Sequence, residues 1–210
     1  MRGPWLIALA TVFVGAARAA DPADTIRHPR AHFRVADPAS LDPPAAETVY
    51  RRLLRTMLRG YALSGEPGAS YAGWRRYNRH PYRSATHGER YVNNYANRVA
   101  RAYGRFENAG KLPPGSLLAK DSFTVTAAGG VYPGPLFLME KLAPGTSPET
   151  DDWRYVMVMP DGSLFGDTTG DNSGAVAFCA VCHGTTPETD DLFFLPPALR
   201  VRYPRTGARE

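Results

Sequence analysis

Cysteine and lysine are scarce in this sequence. Of its 210 residues only two are cysteine and only three are lysine, so arginine supplies nearly all of the 25 basic residues. Two cysteines cannot build a disulfide framework, and they leave no thiols for a second metal cluster. Long apolar runs are missing too, because beyond the N-terminal segment none approaches the roughly 20 residues that a membrane-spanning helix requires. We therefore expect a chain that is not membrane-spanning.

Blocks of like charge are also missing. The formal net charge is +5, and the basic residues are interspersed with acidic ones along the chain. Nucleic-acid-binding proteins usually concentrate lysine and arginine in a patch or a run. The distribution therefore does not favour nucleic acid as a partner.

The first 20 residues have the pattern of a secretory signal peptide. A single charge at Arg2 precedes an apolar run over residues 5–14 and small residues at 17–19. This pattern predicts cleavage after Ala19 or Ala20 and export to the periplasm, with an uncleaved membrane anchor as the alternative. The rest of the chain, about 190 residues, is long enough for one domain that can enclose a cofactor.

The two cysteines lie close together near the C-terminus, in Cys179-Ala180-Val181-Cys182-His183. C-x-x-C-H is the spacing that attaches a c-type haem. The two thiols form thioethers with the haem vinyl groups, and the adjacent imidazole is the proximal ligand of the iron. We therefore expect one haem c per chain, held by Cys179 and Cys182, with His183 as the iron ligand.

A dithiol redox motif and half of a zinc site are the alternatives for the same residues. A redox C-x-x-C is expected at the start of a helix within a βαβ pattern, which the surrounding sequence does not show. A zinc site needs further ligands at close spacing, and His183 supplies only one. Haem attachment is therefore the favoured interpretation.

Hydrophobic periodicity outlines the first half of the chain. Residues 21–44 show no periodicity and predict an extended arm. Residues 45–63 repeat apolar side chains at helical spacing, which predicts an amphipathic helix with a solvated arginine face. Residues 65–88 are rich in Gly, Pro and aromatic side chains and predict a loop layer, and a second short helix is expected over 97–106.

Short apolar segments bounded by turn residues predict three β-strands, over residues 116–126, 136–141 and 153–159. Asp161-Gly162 predicts a hairpin turn after the last of them. Residues 166–177 form a polar, glycine-rich lead into the haem motif, and residues 190–195 return apolar side chains to the core. No internal repeat is visible.

The predicted fold class is α+β, a mainly antiparallel β-sheet with a few flanking helices and a haem attached near the C-terminus, in one domain over residues 45–210. Small electron-transfer cytochromes c take a methionine downstream of the haem motif as second axial ligand, but no methionine follows Met159. Four-helix cytochromes are excluded because the Gly, Pro and strand signals between residues 110 and 165 leave no room for four long helices.

A second axial ligand could instead come from upstream. The candidates are Met157 and Met159, which share one face of the last predicted strand, and His80 and His87 in the loop layer. Core packing is the commoner fate of a methionine on a strand, and a loop histidine is more often solvated or hydrogen-bonded. We therefore expect an open axial position, which permits small-molecule binding or catalysis.

Four stretches carry a family resemblance. They are residues 74–97, with Ser84-Ala85-Thr86-His87-Gly88; residues 115–121, GSLLAKD; the segment from Met139-Glu140-Lys141 to Asp152-Trp153-Arg154-Tyr155; and the haem motif with Asp190-Asp191-Leu192-Phe193 after it. In these stretches the chain resembles the cytochrome P-460 family, which includes the β-type cytochromes c′. The resemblance implies a mostly antiparallel β-sheet with a few helices.

In the enzymes of that family a lysine is joined covalently to the porphyrin edge, in a strand pattern G-[ST]-V-x-x-K-E. Lys120 matches the position of this lysine, although Asp121 stands where the pattern has Glu. The resemblance therefore implies that Lys120 is cross-linked to the haem. A strand-edge lysine that reaches toward water is the alternative, because related cytochromes use the fold without a cross-link.

The resemblance also implies an activity, the oxidation of hydroxylamine or another small nitrogen species at an open haem site, with electrons passing to a periplasmic redox partner. Candidate proton carriers for this catalysis are Glu140, Asp167 and Asp171, and Tyr82 is a candidate cap over the site. The long arginine-rich segment before Gly88 departs from the family pattern.

The arginines Arg75, Arg76 and Arg90 are candidates for pairing with the haem propionates. A homodimer is a further expectation, since family members often dimerise. The alternative function is a non-catalytic cytochrome that binds a gas such as NO or carries electrons.

Overall fold

The structure is a computed structural model, and it describes residues Arg34–Val201. The predicted signal peptide over residues 1–20 lies outside the described residues. Within Arg34–Val201 the helices and strands are, in chain order, α1 (Pro43–Tyr61), β1 (Arg75–Arg76), β2 (Tyr82–Ser84), β3 (Arg90–Ala96), β4 (Leu117–Val125), β5 (Val131–Pro133), β6 (Leu136–Lys141), β7 (Trp153–Val158), β8 (Leu164–Asp167) and α2 (Ser173–His183).

Helix α1 has clear start signals in the sequence. The Asp42 side chain accepts a hydrogen bond of 2.7 Å from the backbone N–H of Ala45, which caps the helix, and Pro43 fits the first position because its missing N–H has no intrahelical partner. The buried residues of the helix recur at helical spacing: Ala46, Tyr50, Met57 and Tyr61. The predicted amphipathic helix is therefore confirmed, beginning at Pro43 rather than at residue 45.

The eight strands form one sheet in the order β1-β3-β4-β6-β7-β8, with β2 also paired to β3 and β5 also paired to β4. Every pairing is antiparallel. The predicted strand over 136–141 coincides with β6, β4 is one residue shorter than its prediction at each end, and β7 is one residue shorter at its C-terminal end. Asp161 and Gly162 lie in the turn between β7 and β8, as predicted. The α+β class with a mainly antiparallel sheet is confirmed.

Alternation along the strands gives the sheet two different faces. One face, which we call the helix face, packs against α1 through a core that includes Tyr50, Met57, Phe123 and Leu136. The other, which we call the cavity face, carries Leu118 of β4 and Tyr155 of β7 together with a second core cluster. Each face therefore has a hydrophobic core of its own.

Helix α2 packs against β7 and β8 on the cavity face. Gly166 makes this close approach possible, because a Cβ at this position would lie 2.6 Å from the Asn172 carbonyl oxygen and 3.0 Å from the Val176 side chain. Since α2 contains the C-x-x-C-H motif, its docking places that motif over the sheet.

The helix face contains a buried polar network around Asp121. Its carboxylate accepts hydrogen bonds from the Tyr50 hydroxyl at 2.8 Å, the Tyr71 hydroxyl at 3.0 Å and the Asn93 amide at 2.9 Å. The Tyr50 hydroxyl also lies 2.5 Å from that of Tyr95. Burial raises the pKa of Asp121 to about 6 despite these donors.

Three local predictions need correction. The expected helix over 97–106 is a 3-10 helix, Arg101–Asn108. The expected loop layer over 65–88 contains β1 and β2, because antiparallel pairing with β3 satisfies backbone groups that a loop would leave to water. The expected polar lead over 166–177 contains the end of β8 and the first turn of α2.

Across residues 34–201 no helix is long and apolar enough to cross a membrane.

Candidate functional site

A large cavity opens on the cavity face, between β4, β6, β7, α2 and residues 192–196. Its atom-free space is about 1420 Å³, counted out to the open mouth. Because this figure includes open solvent at the mouth, it is an upper bound on the enclosed volume of the site. Helix α2 and residues 192–196 supply an aromatic wall: Phe178, Phe193 and Phe194. Strands β2, β3 and β4 and the 3-10 helix Ala85–His87 supply a polar wall: Tyr82, Ser84, Thr86, His87, Arg90, Asn94 and Lys120.

The structure brings the three residues of the haem motif together in this cavity. Cys179, Cys182 and His183 all line it, because positions i, i+3 and i+4 share one face of a helix. Both cysteines are free thiols, Cys179 half-buried and Cys182 exposed. Burial raises the pKa of the Cys179 thiol to about 12, so this thiol is protonated at neutral pH. The two thiols and the imidazole therefore face the same space.

The orientation of the His183 ring is fixed by its surroundings. Its Nδ1 lies 2.7 Å from the backbone carbonyl oxygen of Asp191, so Nδ1 carries the proton and donates it. The rings of Tyr155 and Phe193 both contact the imidazole, each with its centroid 5.3 Å from that of His183. Burial lowers the pKa of His183 to about 4, so the ring is neutral and Nε2 has a free lone pair at pH 7. Metal-ligating histidines commonly have this arrangement.

Lys120 and His87 form a second titratable pair in the cavity. The Lys120 amine lies 3.4 Å from His87 Nε2, and burial lowers the pKa of Lys120 to about 8. His87 Nδ1 lies 3.0 Å from the Ser84 hydroxyl and 3.1 Å from that of Thr86. Because an ammonium can only donate, His87 Nε2 accepts from Lys120 and Nδ1 carries the ring proton. Burial keeps the pKa of His87 well below its usual value.

The other predicted residues of the cavity divide into two groups. Tyr82 lines the cavity and donates a 2.9 Å hydrogen bond to the Asn94 side chain, and Arg90 lines it with a pKa that burial lowers to about 10. Arg76 instead pairs with Glu47 beside α1, and Arg75 is exposed. Of the three candidate propionate partners, only Arg90 is at the cavity.

The candidate proton carriers do not line the cavity. Glu140 lies on the helix face and pairs with Arg154 at 2.9 Å, and Asp167 pairs with the same arginine at 2.6 Å. Asp171 is exposed, just before α2. The assignment of Glu140, Asp167 and Asp171 to this site is therefore not supported by their positions, because one step along a strand moves a side chain to the other face.

The candidate second axial ligands also fall into two groups, those that line the cavity and those that do not. Met157, Met159 and His80 do not line the cavity, whereas His87 does. Met157 is fully buried in the core, which is the fate that we expected for it.

Sequence reasoning missed several residues around His183. Tyr155 and Asp191 contact the ring from β7 and from the segment after α2. The Tyr155 hydroxyl is buried and has no hydrogen-bond partner among residues 34–201. Nothing in a single sequence reveals that these segments meet, although Tyr155 and Asp191 both lie in stretches that carry the family resemblance.

The residues present fit a c-type haem. The cavity is mainly apolar, the two thiols share it with an imidazole of fixed tautomer, and that imidazole contacts the ring of Tyr155, whose buried hydroxyl has no hydrogen-bond partner among residues 34–201. Across the described part of the chain, no group of three or more His, Cys, Asp or Glu side chains is arranged to hold a metal ion. In comparisons with known proteins, no family model and no curated protein matches the sequence.

Proposed function

We propose that this protein is a periplasmic monohaem c-type cytochrome, with the haem attached to Cys179 and Cys182 and ligated by His183. The observation that carries the proposal is the position of all three residues in one large, mainly apolar cavity. The bound haem would supply a redox-active iron and an axial position for a small nitrogen-containing ligand or substrate.

His183 is prepared for its role by the protein around it. The hydrogen bond from Nδ1 to the Asp191 carbonyl fixes the tautomer and increases the electron density on Nε2. The aromatic wall gives the cavity a mainly apolar lining on the side of the imidazole, and a less polar surrounding strengthens electrostatic interactions. The chain therefore supplies an oriented, neutral imidazole in a mainly apolar environment.

The polar wall is the proposed contact surface for a small ligand. Lys120 contacts His87 at 3.4 Å and has further N–H donors for a ligand, and Tyr82 adds a hydroxyl from β2. Such groups can hold a hydroxylamine-sized molecule by hydrogen bonds. Oxidation of such a molecule, with electrons passing to a periplasmic redox partner, is the proposed reaction.

Lys120 is the proposed site of a cross-link to the haem, as the family resemblance implies. Its position in the cavity wall supports this proposal. A pKa of about 8 also leaves an appreciable fraction of the amine uncharged and nucleophilic near neutral pH.

A non-catalytic cytochrome that binds a gas or carries electrons is the second candidate. The observation in its favour is that, among residues 34–201, no aspartate or glutamate lines the cavity. An enzyme that oxidises hydroxylamine must remove protons, and carboxylates are frequent proton acceptors in such sites. Among the described residues that line the cavity, Lys120, His87 and the tyrosines are the groups that could take that role.

The test is to express the full chain with haem-ligation machinery and to record ferric and ferrous absorption spectra of the purified protein. We expect a haem spectrum that changes in His183→Ala, together with a haem-bearing peptide that contains Lys120. Lys120→Arg should remove that peptide, whereas the matched variant Lys111→Arg should not, since Lys111 is exposed and away from the cavity.

Three outcomes decide between the functions. A colourless wild-type protein would contradict the haem assignment altogether. A haem spectrum with no Lys120 peptide and no hydroxylamine oxidation would favour the non-catalytic cytochrome. Oxidation activity that is lost in Lys120→Arg and kept in Lys111→Arg would favour the enzyme.

A further inference from the structure

A six-residue segment occurs twice in the sequence, and its second copy follows His183. Residues 147–152 read Ser-Pro-Glu-Thr-Asp-Asp and residues 186–191 read Thr-Pro-Glu-Thr-Asp-Asp. The expectation of no internal repeat is therefore corrected. The repeated segment has only six residues, which is shorter than the structural units that sequence repeats usually mark. We call these segments the first and second PETDD turns.

The two PETDD turns have the same backbone structure. Each begins with a 3-10 helix, Pro148–Thr150 in the first and Pro187–Thr189 in the second. Each ends with two aspartates at positive φ, 50° and 61° in the first turn and 58° and 59° in the second. Aspartate tolerates this left-handed conformation better than most residues do. In both turns the last aspartate donates its backbone N–H to the carbonyl of the first residue, at 2.9 Å and 3.1 Å.

Lys141, the last residue of β6, joins the two turns. Its amine donates a 2.8 Å hydrogen bond to the backbone carbonyl of Asp151 in the first turn. The same amine donates a 2.6 Å hydrogen bond to the carboxylate of Asp190 in the second turn. The side chains of Lys141 and Asp190 are only 9% and 1% exposed, so this ion pair is buried.

The surroundings of the ion pair hold the second turn rigidly. The centroid of the Trp153 ring lies 4.8 Å from the Lys141 amine, and Trp153 Nε1 donates to the Asp190 carbonyl at 2.9 Å. The other carboxylate oxygen of Asp190 accepts from the Leu112 N–H at 2.8 Å. All of the strong contacts of Asp190 are therefore made with buried groups that have few alternative partners.

The second PETDD turn contains the acceptor of the His183 hydrogen bond. Asp191 follows Asp190, and its carbonyl accepts from His183 Nδ1 at 2.7 Å. A carbonyl on a free surface loop could turn away from the ring, but this one follows an aspartate that is held by Lys141. Interactions of this kind orient a metal ligand and tune its basicity.

We propose that Lys141 is a positioning residue for His183, acting through Asp190 and the carbonyl of Asp191. It holds the second PETDD turn against the first. The Asp191 carbonyl then stays in place to accept the hydrogen bond from Nδ1, which fixes the tautomer and the ring orientation of His183. The effect on the iron rests on the proposed function, whereas the effect on the His183 ring does not.

The test compares a double variant, Lys141→Met with Asp190→Asn in one chain, against the matched control Lys111→Met. The double variant removes both charges, so no unpaired charge is left buried, and the amide can still accept from the Leu112 N–H. Lys111 also pairs with Asp151, at 3.6 Å, but it is 74% exposed. The control therefore removes a lysine from the same neighbourhood without touching the buried pair.

Two readouts report on His183. The exchange rate of its Nδ1 proton is measured by nitrogen-15 NMR in the reduced, carbon-monoxide-bound protein, and the midpoint potential of the haem is measured by redox titration. We expect exchange at least about tenfold faster in the double variant. We also expect a higher midpoint potential, because a weaker hydrogen bond makes the imidazole a poorer donor to ferric iron. The control should match the wild type in both.

Unchanged exchange and potential in a folded double variant would overturn the proposal. If the double variant does not fold, Asp190→Asn decides, because it removes the charge that pairs with Lys141 while its amide can still accept from the Leu112 N–H. Faster Nδ1 exchange in that variant supports the proposal and unchanged exchange contradicts it. If the wild type carries no haem, the proposed function fails. Exchange of the His183 Nδ1 proton in the haem-free chain then still tests whether Lys141 positions the ring.

Discussion

Lys120 and Asp121 are adjacent in β4, yet they lie in opposite environments. Asp121 faces α1, where three donors from the protein satisfy its carboxylate. Lys120 faces the cavity, where its amine has one long contact among the described residues, to His87 at 3.4 Å. One residue thus completes the interior of the helix face, and the other is available to whatever fills the cavity.

This difference indicates how the sheet divides stability from function. A buried polar group that the protein satisfies contributes to a single rigid core, and it is costly to remove because its partners are left unpaired. A polar group that lines a cavity can find its hydrogen-bond partners in a bound ligand. Changes on the helix face should therefore lower the free energy of unfolding, and changes on the cavity face should alter haem or ligand properties.

The largest expected effect is that of Asp121→Ala. The change leaves Tyr50, Tyr71 and Asn93 without their acceptor, and each unsatisfied buried group costs roughly 1–3 kcal/mol, so we expect a loss of roughly 3–5 kcal/mol in the free energy of unfolding. Urea denaturation followed by circular dichroism measures it. A loss below about 1 kcal/mol would show that the network is not a determinant of stability.

The pH dependence of the free energy of unfolding should also report on Asp121. Burial raises the pKa of Asp121 from its ordinary value of 3.8 to about 6 in the folded protein. The folded state therefore binds the proton more tightly, and this contribution to stability is complete below about pH 4 and is lost as the pH rises through about 6. Its size is on the order of 3 kcal/mol.

Asp121→Asn isolates this contribution, because an amide does not titrate. We expect the variant to lack the decline in stability between about pH 4 and pH 6 that the wild type shows. Asp171→Asn is the matched control, since Asp171 is exposed and its replacement should keep the wild-type profile. Parallel profiles for the wild type and Asp121→Asn would contradict the assignment.

Lys120→Met should have a much smaller effect on stability than Asp121→Ala. The methionine keeps the apolar stem and removes an amine that burial disfavours in its charged form, so we expect the free energy of unfolding to stay within about 1 kcal/mol of the wild type. Urea denaturation of the chain without haem is the measurement. A loss comparable to that of Asp121→Ala would show that both faces depend equally on their buried polar groups.

The smallest expected effect is that of Tyr82→Phe. It removes one half-buried hydrogen bond to Asn94, so we expect a loss of about 1 kcal/mol or less. Tyr50→Phe is the comparison on the helix face and should cost more, because the Tyr50 hydroxyl contacts both Tyr95 and Asp121. Denaturation midpoints of the two variants give the comparison, and an equal cost would count against the division between the faces.

Local sequence patterns predicted the elements that depend on local signals. β6 coincides with its predicted range, and α1 begins at an N-cap and a proline that are visible in the sequence. The short strands β1 and β2 were not predicted, because their pairing with β3 is a tertiary contact and their composition is that of a loop. Backbone pairing overrode local propensity there.

The candidate site was predicted most completely where one motif contained it. Cys179, Cys182 and His183 share a helix face by their spacing alone, and Lys120 reaches the same cavity from a strand. Glu140 was misplaced because the face of a strand residue depends on a register that a one-residue shift reverses. The contact between Lys141 and Asp190 spans 49 positions, and no local pattern encodes it.

The most direct test of the account is the intact mass of the denatured protein after expression with haem-ligation machinery, compared with that of the variant carrying both Cys179→Ala and Cys182→Ala. We predict that the wild-type polypeptide keeps the mass of one haem under denaturing conditions and that the variant does not. A wild-type mass equal to that of the bare polypeptide would contradict the account, because the cavity face would then not carry a covalently attached haem.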